Sequence, residues 1–219
     1  MLLIVICLGS PVLPEGVADD DAPTRPQPAE FAIFAGRRPL AAPSIDAPPA
    51  AVRPVLDQWD LTGDERGWKF VIVHHSATKT GSVESIDRAH RQRRDARGNP
   101  WRGIGYHFVI GNGQGMDDGE VRPTFRWTEQ ASGAHAGIGN FNEYGVGICL
   151  IGNFEDAPPT EKQLAAVRKL IMELRTEYGI NRDAVLSHRD VRATACPGEH
   201  LNLDAIAGPE QVIMPTSAP

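Results

Sequence analysis

The chain is short of several things, and each shortage excludes a class of protein. Cysteine occurs only three times in 219 residues, and an odd, sparse set of thiols argues against a disulfide-built scaffold. The N-terminal apolar run, residues 2–8 (LLIVICL), is far below the ~20 residues a membrane-spanning helix needs. Basic charge is also in deficit. Twenty-two Lys and Arg against 28 Asp and Glu leave a net charge of −6, so there is no electrostatic footprint for nucleic acid. An anionic polymer would have to be held by specific contacts rather than by general attraction. No internal repeat is present.

What is there is unevenly distributed. Residues 11–57 hold ten of the 18 prolines with no sustained apolar period, and such a stretch buries too little surface to offset its ordering entropy. It reads as an extension or linker, with FAIFAG (31–36) its one apolar island. Residues 1–10 read as a signal or anchor segment, although no Lys or Arg precedes the apolar run and Ile6 stands before Cys7 where a lipoprotein signal has a small residue. Export to the periplasm or exterior is the expectation, with a cytoplasmic location the alternative. Residues 209–219 read as a tail.

The intervening segment, 58–208, reads as one globular domain. KFVIVHH (69–75) predicts a buried strand with His74 and His75 on opposite faces. Residues 82–95 predict a polar helix capped by Ser82. IGYHFVIG (104–111) predicts a second strand with Ile104, Tyr106, Phe108 and Ile110 on one face, and EVRPTFRW a short edge strand containing Pro123. YGVGICLIGNF (144–154) is apolar enough for a central strand, with Cys149 read as a small buried hydrophobe. TEKQLAAVRKLIMELRTEYG (160–179) predicts a helix opened by a Thr160/Gln163 capping box and closed by Gly179. AVLSH (184–188) predicts a short strand, and residues 201–207 a last helix. Strands alternating with helices point to an α/β domain: a mixed central sheet covered by helices on both faces.

The chemistry lies in residues far apart in the chain. A His ends the first strand, His188 ends the last, and Cys196 stands in a Pro-Gly turn eight positions later. Two imidazoles and one thiolate satisfy a zinc ion and leave its fourth position open, as catalytic sites require. Strand alternation allows only one of His74 and His75 to join the set, and spacing does not choose between them.

Four segments, VIVHHSATKTG (71–81), IGYHFVIGNGQG (104–115), SGAHAGIGNFNEYGVGICLIGNF (132–154) and SHRDVRATACPG (187–198), resemble in order and spacing the type 2 N-acetylmuramoyl-L-alanine amidases, a family that includes the phage lysozyme-type amidases and the peptidoglycan recognition proteins. The resemblance spans residues 69–207. It implies that His74, with His188 and Cys196, holds one Zn²⁺. It also implies hydrolysis of the amide joining N-acetylmuramic acid to the L-alanine of the stem peptide, with peptidoglycan or muropeptides as partner. The chain is expected to be a monomer.

By the same resemblance Tyr106 is catalytic, although strand period alone makes it a core aromatic. Thr194 stands where phage-type relatives have Lys and recognition proteins can have Thr, and it is either a second assisting group or a turn residue. His135 and Asn140 are implied substrate contacts. His90 and His107 are read as structural residues or supports of the site. No Glu in the four motifs stands where the helical zinc proteases keep theirs. The alternative within the same fold is a recognition module that binds peptidoglycan without cutting it. A purely structural zinc domain conflicts with the three-ligand count.

Overall fold

The computed structural model describes residues 55–95 and 97–209. The signal or anchor segment, the Pro-rich stretch as far as residue 54 and the tail from residue 210 lie outside the described residues. Five strands form one sheet: β1 (Phe70–His75), β2 (Phe108–Ile110), β3 (Val121–Pro123), β4 (Gly145–Leu150) and β5 (Val185–Ser187). Their spatial order is β3-β2-β4-β1-β5. β4 runs parallel to both β1 and β2, β1 parallel to β5, and only the edge pair β2–β3 is antiparallel. The apolar run at 144–154 thus occupies the middle of the sheet, where both faces are covered. Pro123 lies on an edge, where its missing N–H breaks no inner ladder.

Among the described residues five α-helices accompany the sheet: α1 (Val83–Arg91), α2 (Phe125–Thr128), α3 (Gly139–Tyr144), α4 (Glu161–Tyr178) and α5 (His188–Val191). α4 begins with the expected reciprocal cap between Thr160 and Gln163 and ends at Gly179, whose φ of 62° is left-handed. Its residues Val167, Leu170, Ile171 and Leu174 pack on Val71, Val73, Phe108, Ile110, Val146, Ile148 and Leu150 from one face of the sheet. On the other face α1 supplies Val83 and Ile86 against Ile104, Val109, Met116 and Ile151. α3 covers the same face at Phe70, whose ring meets Phe141 edge-on at 5.0 Å. The packed domain reaches back to Val55 and Leu56, both buried, whose N–H groups donate to Glu173 of α4.

Three expectations change. The first helix stops at Arg91 rather than running to 95, because the Asp95 carboxylate accepts the N–H groups of Arg97 and Asn99 at 2.9 and 2.8 Å and builds a turn there. No helix forms over 201–207. A single turn closes there instead, the Leu203 carbonyl accepting the Ile206 and Ala207 N–H groups at 3.0 and 2.9 Å, and α4 ties the segment down through Arg168 to the Ala205 carbonyl and Arg175 to the Ala207 carbonyl, each at 2.7 Å.

The third change matters most for the site. The strand expected over 104–111 is regular only from Phe108. Ahead of it the His107 ring accepts the Gly147 N–H at 2.9 Å, and Gly105 accepts from Ala134 at 3.0 Å. This break reverses the side-chain alternation. Phe108 and Ile110 face α4, while Ile104 and Tyr106 face the opposite side.

Candidate metal centre and active site

β1 carries His74 on the face away from α4 and His75 on the other, as alternation demands. The His75 ring accepts the Phe154 N–H at 3.2 Å and stays on its own side of the sheet. His188 follows β5 directly as the first residue of α5. It is held there because the Asp190 carboxylate accepts both the N–H and the hydroxyl of Ser187, each at 2.7 Å. Cys196 arrives on a loop pressed against residues 154–155, so closely that a side chain at Gly198 would overlap the Phe154 backbone.

These elements bring His74, His188 and Cys196 together. One ligand atom from each lies within 4.8 Å of the others, the one such group of three among the described residues. His74 Nδ1 and Cys196 Sγ are 3.7 Å apart, close to the roughly 3.5 Å separating two donors that share a tetrahedral zinc.

Two further observations test the fit. His188 Nε2 is buried without any hydrogen-bond partner, a costly state unless something with an empty orbital or a proton meets it. Burial, reinforced by the neighbouring histidines, holds the His74 ring well below its ordinary pKa, and burial also depresses His188, so both stay neutral with a lone pair to offer. The Cys196 thiol is pushed up by burial to about 11. A cation must therefore displace its proton, as metal binding to thiols does. The residues fit zinc.

Tyr106 stands beside this group, its ring centroid 5.1 Å from that of His74. Burial, with Cys149 and Cys196 nearby, raises its pKa well above the phenol range and keeps the hydroxyl protonated. It is thus a hydrogen-bond donor rather than a base. Thr194 is exposed, and its Oγ1 accepts the Cys196 N–H at 3.2 Å. The hydroxyl proton is left to donate elsewhere. Asn140 is exposed near the start of α3.

His135 is buried, and both its ring nitrogens are engaged, Nδ1 with His74 Nε2 at 3.0 Å and Nε2 with the Gly145 carbonyl at 3.2 Å. The substrate contact expected of it meets a ring with no nitrogen to spare. Burial lowers its pKa to about 3, so it too is neutral. His90 is buried behind Tyr106 and accepts the Gly105 N–H at 3.0 Å.

Residues that sequence reasoning passed over complete the site. On β4 the positions facing the centre are Gly145, Gly147 and Cys149. A side chain on Gly147 would come within 2.5 Å of the His135 ring. The period-2 run of small residues, G-x-G-x-C, was the available signal, since glycine inside a strand marks a close approach. Asn142 is the other: its Oδ1 accepts the N–H groups of His135 and Ala136 at 2.8 and 2.9 Å.

Comparison with known proteins points to one family. The chain is 31% identical over 135 residues to an endolysin of Klebsiella phage KP32, covering 58% of this chain and 78% of that one. It is 30% identical to peptidoglycan-recognition protein SC2 of Drosophila melanogaster over 60% of this chain and 69% of the other. A human N-acetylmuramoyl-L-alanine amidase is 33% identical over 60% of this chain, which spans only 23% of that longer protein. Among solved structures, the N-acetylmuramoyl-L-alanine amidase LysC from Clostridium intestinale aligns with a TM-score of 0.53 at 32% identity, covering 64% of this chain and 83% of the other. The family model described as N-acetylmuramoyl-L-alanine amidase matches residues 64–199, and the chain belongs to that family.

Proposed function

We propose that the protein is a zinc-dependent hydrolase that cleaves the amide between N-acetylmuramic acid and L-alanine in peptidoglycan or muropeptides. The observation that carries this reading is the gathering of exactly the three donors a catalytic zinc needs, His74, His188 and Cys196, with a protonated phenol beside them. Relatives named as an endolysin and as an N-acetylmuramoyl-L-alanine amidase support it.

Bound zinc would supply Lewis acidity, polarising the amide carbonyl and lowering the pKa of a water toward ~7. The protein's own groups do the rest. Two neutral imidazoles and one thiolate leave the centre a formal single positive charge, favourable to a developing oxyanion. The Tyr106 hydroxyl, held in its protonated form by burial, donates to the oxygen that becomes negative. Thr194 offers a second, uncharged donor at the rim, worth less than a charged one. Asn140 meets glycan or stem peptide from the exposed start of α3. A Pro-rich N-terminal extension suits work outside the cytoplasm on a large polymer.

Purified full-length protein incubated with cell-wall sacculi tests the reading. Mass spectrometry should find glycan freed of peptide and stem peptides with a free L-alanine amino terminus. A chelator should stop the release and added zinc restore it. Binding to sacculi with no cleavage at one equivalent of zinc would make the protein a recognition module instead.

A further inference from the structure

One loop touches the first histidine ligand: His135 Nδ1 lies 3.0 Å from His74 Nε2. At its centre the loop is held by Asn142, whose Oδ1 accepts the N–H groups of both His135 and Ala136 and whose carbonyl accepts Gly133 N–H at 2.7 Å.

The proton positions follow from one fixed acceptor. A backbone carbonyl can only accept, so the contact between His135 Nε2 and Gly145 O at 3.2 Å puts the ring hydrogen of His135 on Nε2. Its Nδ1 is then a lone pair, and the 3.0 Å contact requires His74 to donate from Nε2. That leaves His74 Nδ1 unprotonated, and Nδ1 is the nitrogen 3.7 Å from Cys196 Sγ. The chain of bonds therefore runs from the sheet backbone to the ligand atom without ambiguity at any link.

We propose that His135 is a positioning residue of the metal centre, an imidazole relay that presets His74 in the Nε2–H tautomer, with Asn142 as the anchor of the relay. This rests on the zinc reading above and replaces substrate contact as the role of His135. Ligating histidines usually pass their second N–H to a carboxylate, carbonyl or water. A carboxylate here would cancel the single positive charge left by two imidazoles and a thiolate. A neutral imidazole orients the ligand equally well and leaves that charge intact. The glycine at 147 is part of the device, since any Cβ there would displace the His135 ring.

The direct test needs no substitution. Long-range proton–nitrogen correlation spectra of the full chain should show both His74 and His135 as Nε2–H tautomers before zinc is added, with His74 unchanged in tautomer afterwards. His74 carrying its hydrogen on Nδ1 in metal-free protein would overturn the proposal. Variants provide a second arm, read by zinc competition with a calibrated chelator. H135L removes the acceptor and should weaken zinc about 10–100-fold, whereas H135N keeps an acceptor oxygen where Nδ1 stood and should bind zinc much closer to the parent. Equal losses in H135L and H135N, or none in a folded H135L, would reduce His135 to packing. A parent chain that takes up no zinc would defeat the functional reading, while the metal-free tautomers would still decide the relay.

Discussion

Thr194 and Cys196 are joined by a hydrogen bond of 3.2 Å from the Cys196 N–H to the Thr194 hydroxyl oxygen. The oxygen shapes the loop that presents the Cys196 sulfur, and the hydroxyl hydrogen remains to donate. Thr194→Val keeps the shape and removes both functions, so zinc retention and turnover should fall together. Thr194→Ser should retain most of each. A valine variant with full zinc affinity but slowed turnover would assign Thr194 to the reaction alone.

Cys196→Ser replaces a thiolate by a neutral hydroxyl, a far poorer zinc ligand. Hydrolysis should disappear and zinc should leave on dialysis, as metal analysis of the dialysed protein would record. Turnover at the parent rate would remove Cys196 from the ligand set.

Tyr106→Phe retains the ring that packs near His74 and His90 and deletes only the donor. Zinc content should be unchanged and kcat should drop on the order of 10²-fold or more, the range seen when an oxyanion donor is lost. The phenol's pKa is raised well above its ordinary value, so the rate should show no loss at neutral pH from ionisation of this group. An unaltered kcat in the phenylalanine variant would leave Tyr106 as packing only.

Stability should decline in mild acid. His90 is buried with its pKa lowered to about 4, and His135 with its pKa lowered to about 3, in each case chiefly by burial. Unfolded, both would titrate near 6.5. Their folded pKa values are depressed, so the unfolded chain binds more protons below 6.5 and stability falls as pH drops from 6.5 toward 4. Denaturant titrations of metal-free protein at pH 7, 6 and 5 should show a progressive loss, smaller in His90→Gln, which no longer has that imidazole to protonate. A pH-independent midpoint would show that these rings take up protons as readily in the folded state as in the unfolded one.

Local patterns carried much of the fold. The capping box and terminal glycine of α4 depend on residues within a few positions of each other, and both lie where the sequence placed them. The apolar run of β4 required burial on both faces and found it in the middle of the sheet. The failures involve partners distant in the chain. The segment 201–207 closes only one turn, and arginines up to 37 positions away hold its later carbonyls. The strand expected from 104 was interrupted because a histidine side chain took a partner the backbone would otherwise have used. Neither competitor is visible in a local window.

By itself the sequence determined which chemical groups were available: two imidazoles at strand ends, a thiol in a turn, a tyrosine nearby. Tertiary structure alone decided which of His74 and His75 meets the thiol, that Tyr106 turns away from Phe108 toward His74, and that His135 faces His74 rather than the solvent. The reason is physical. Donor type is a property of one residue, whereas a ring's orientation and the side of its proton depend on carbonyls and amides that arrive from distant parts of the chain.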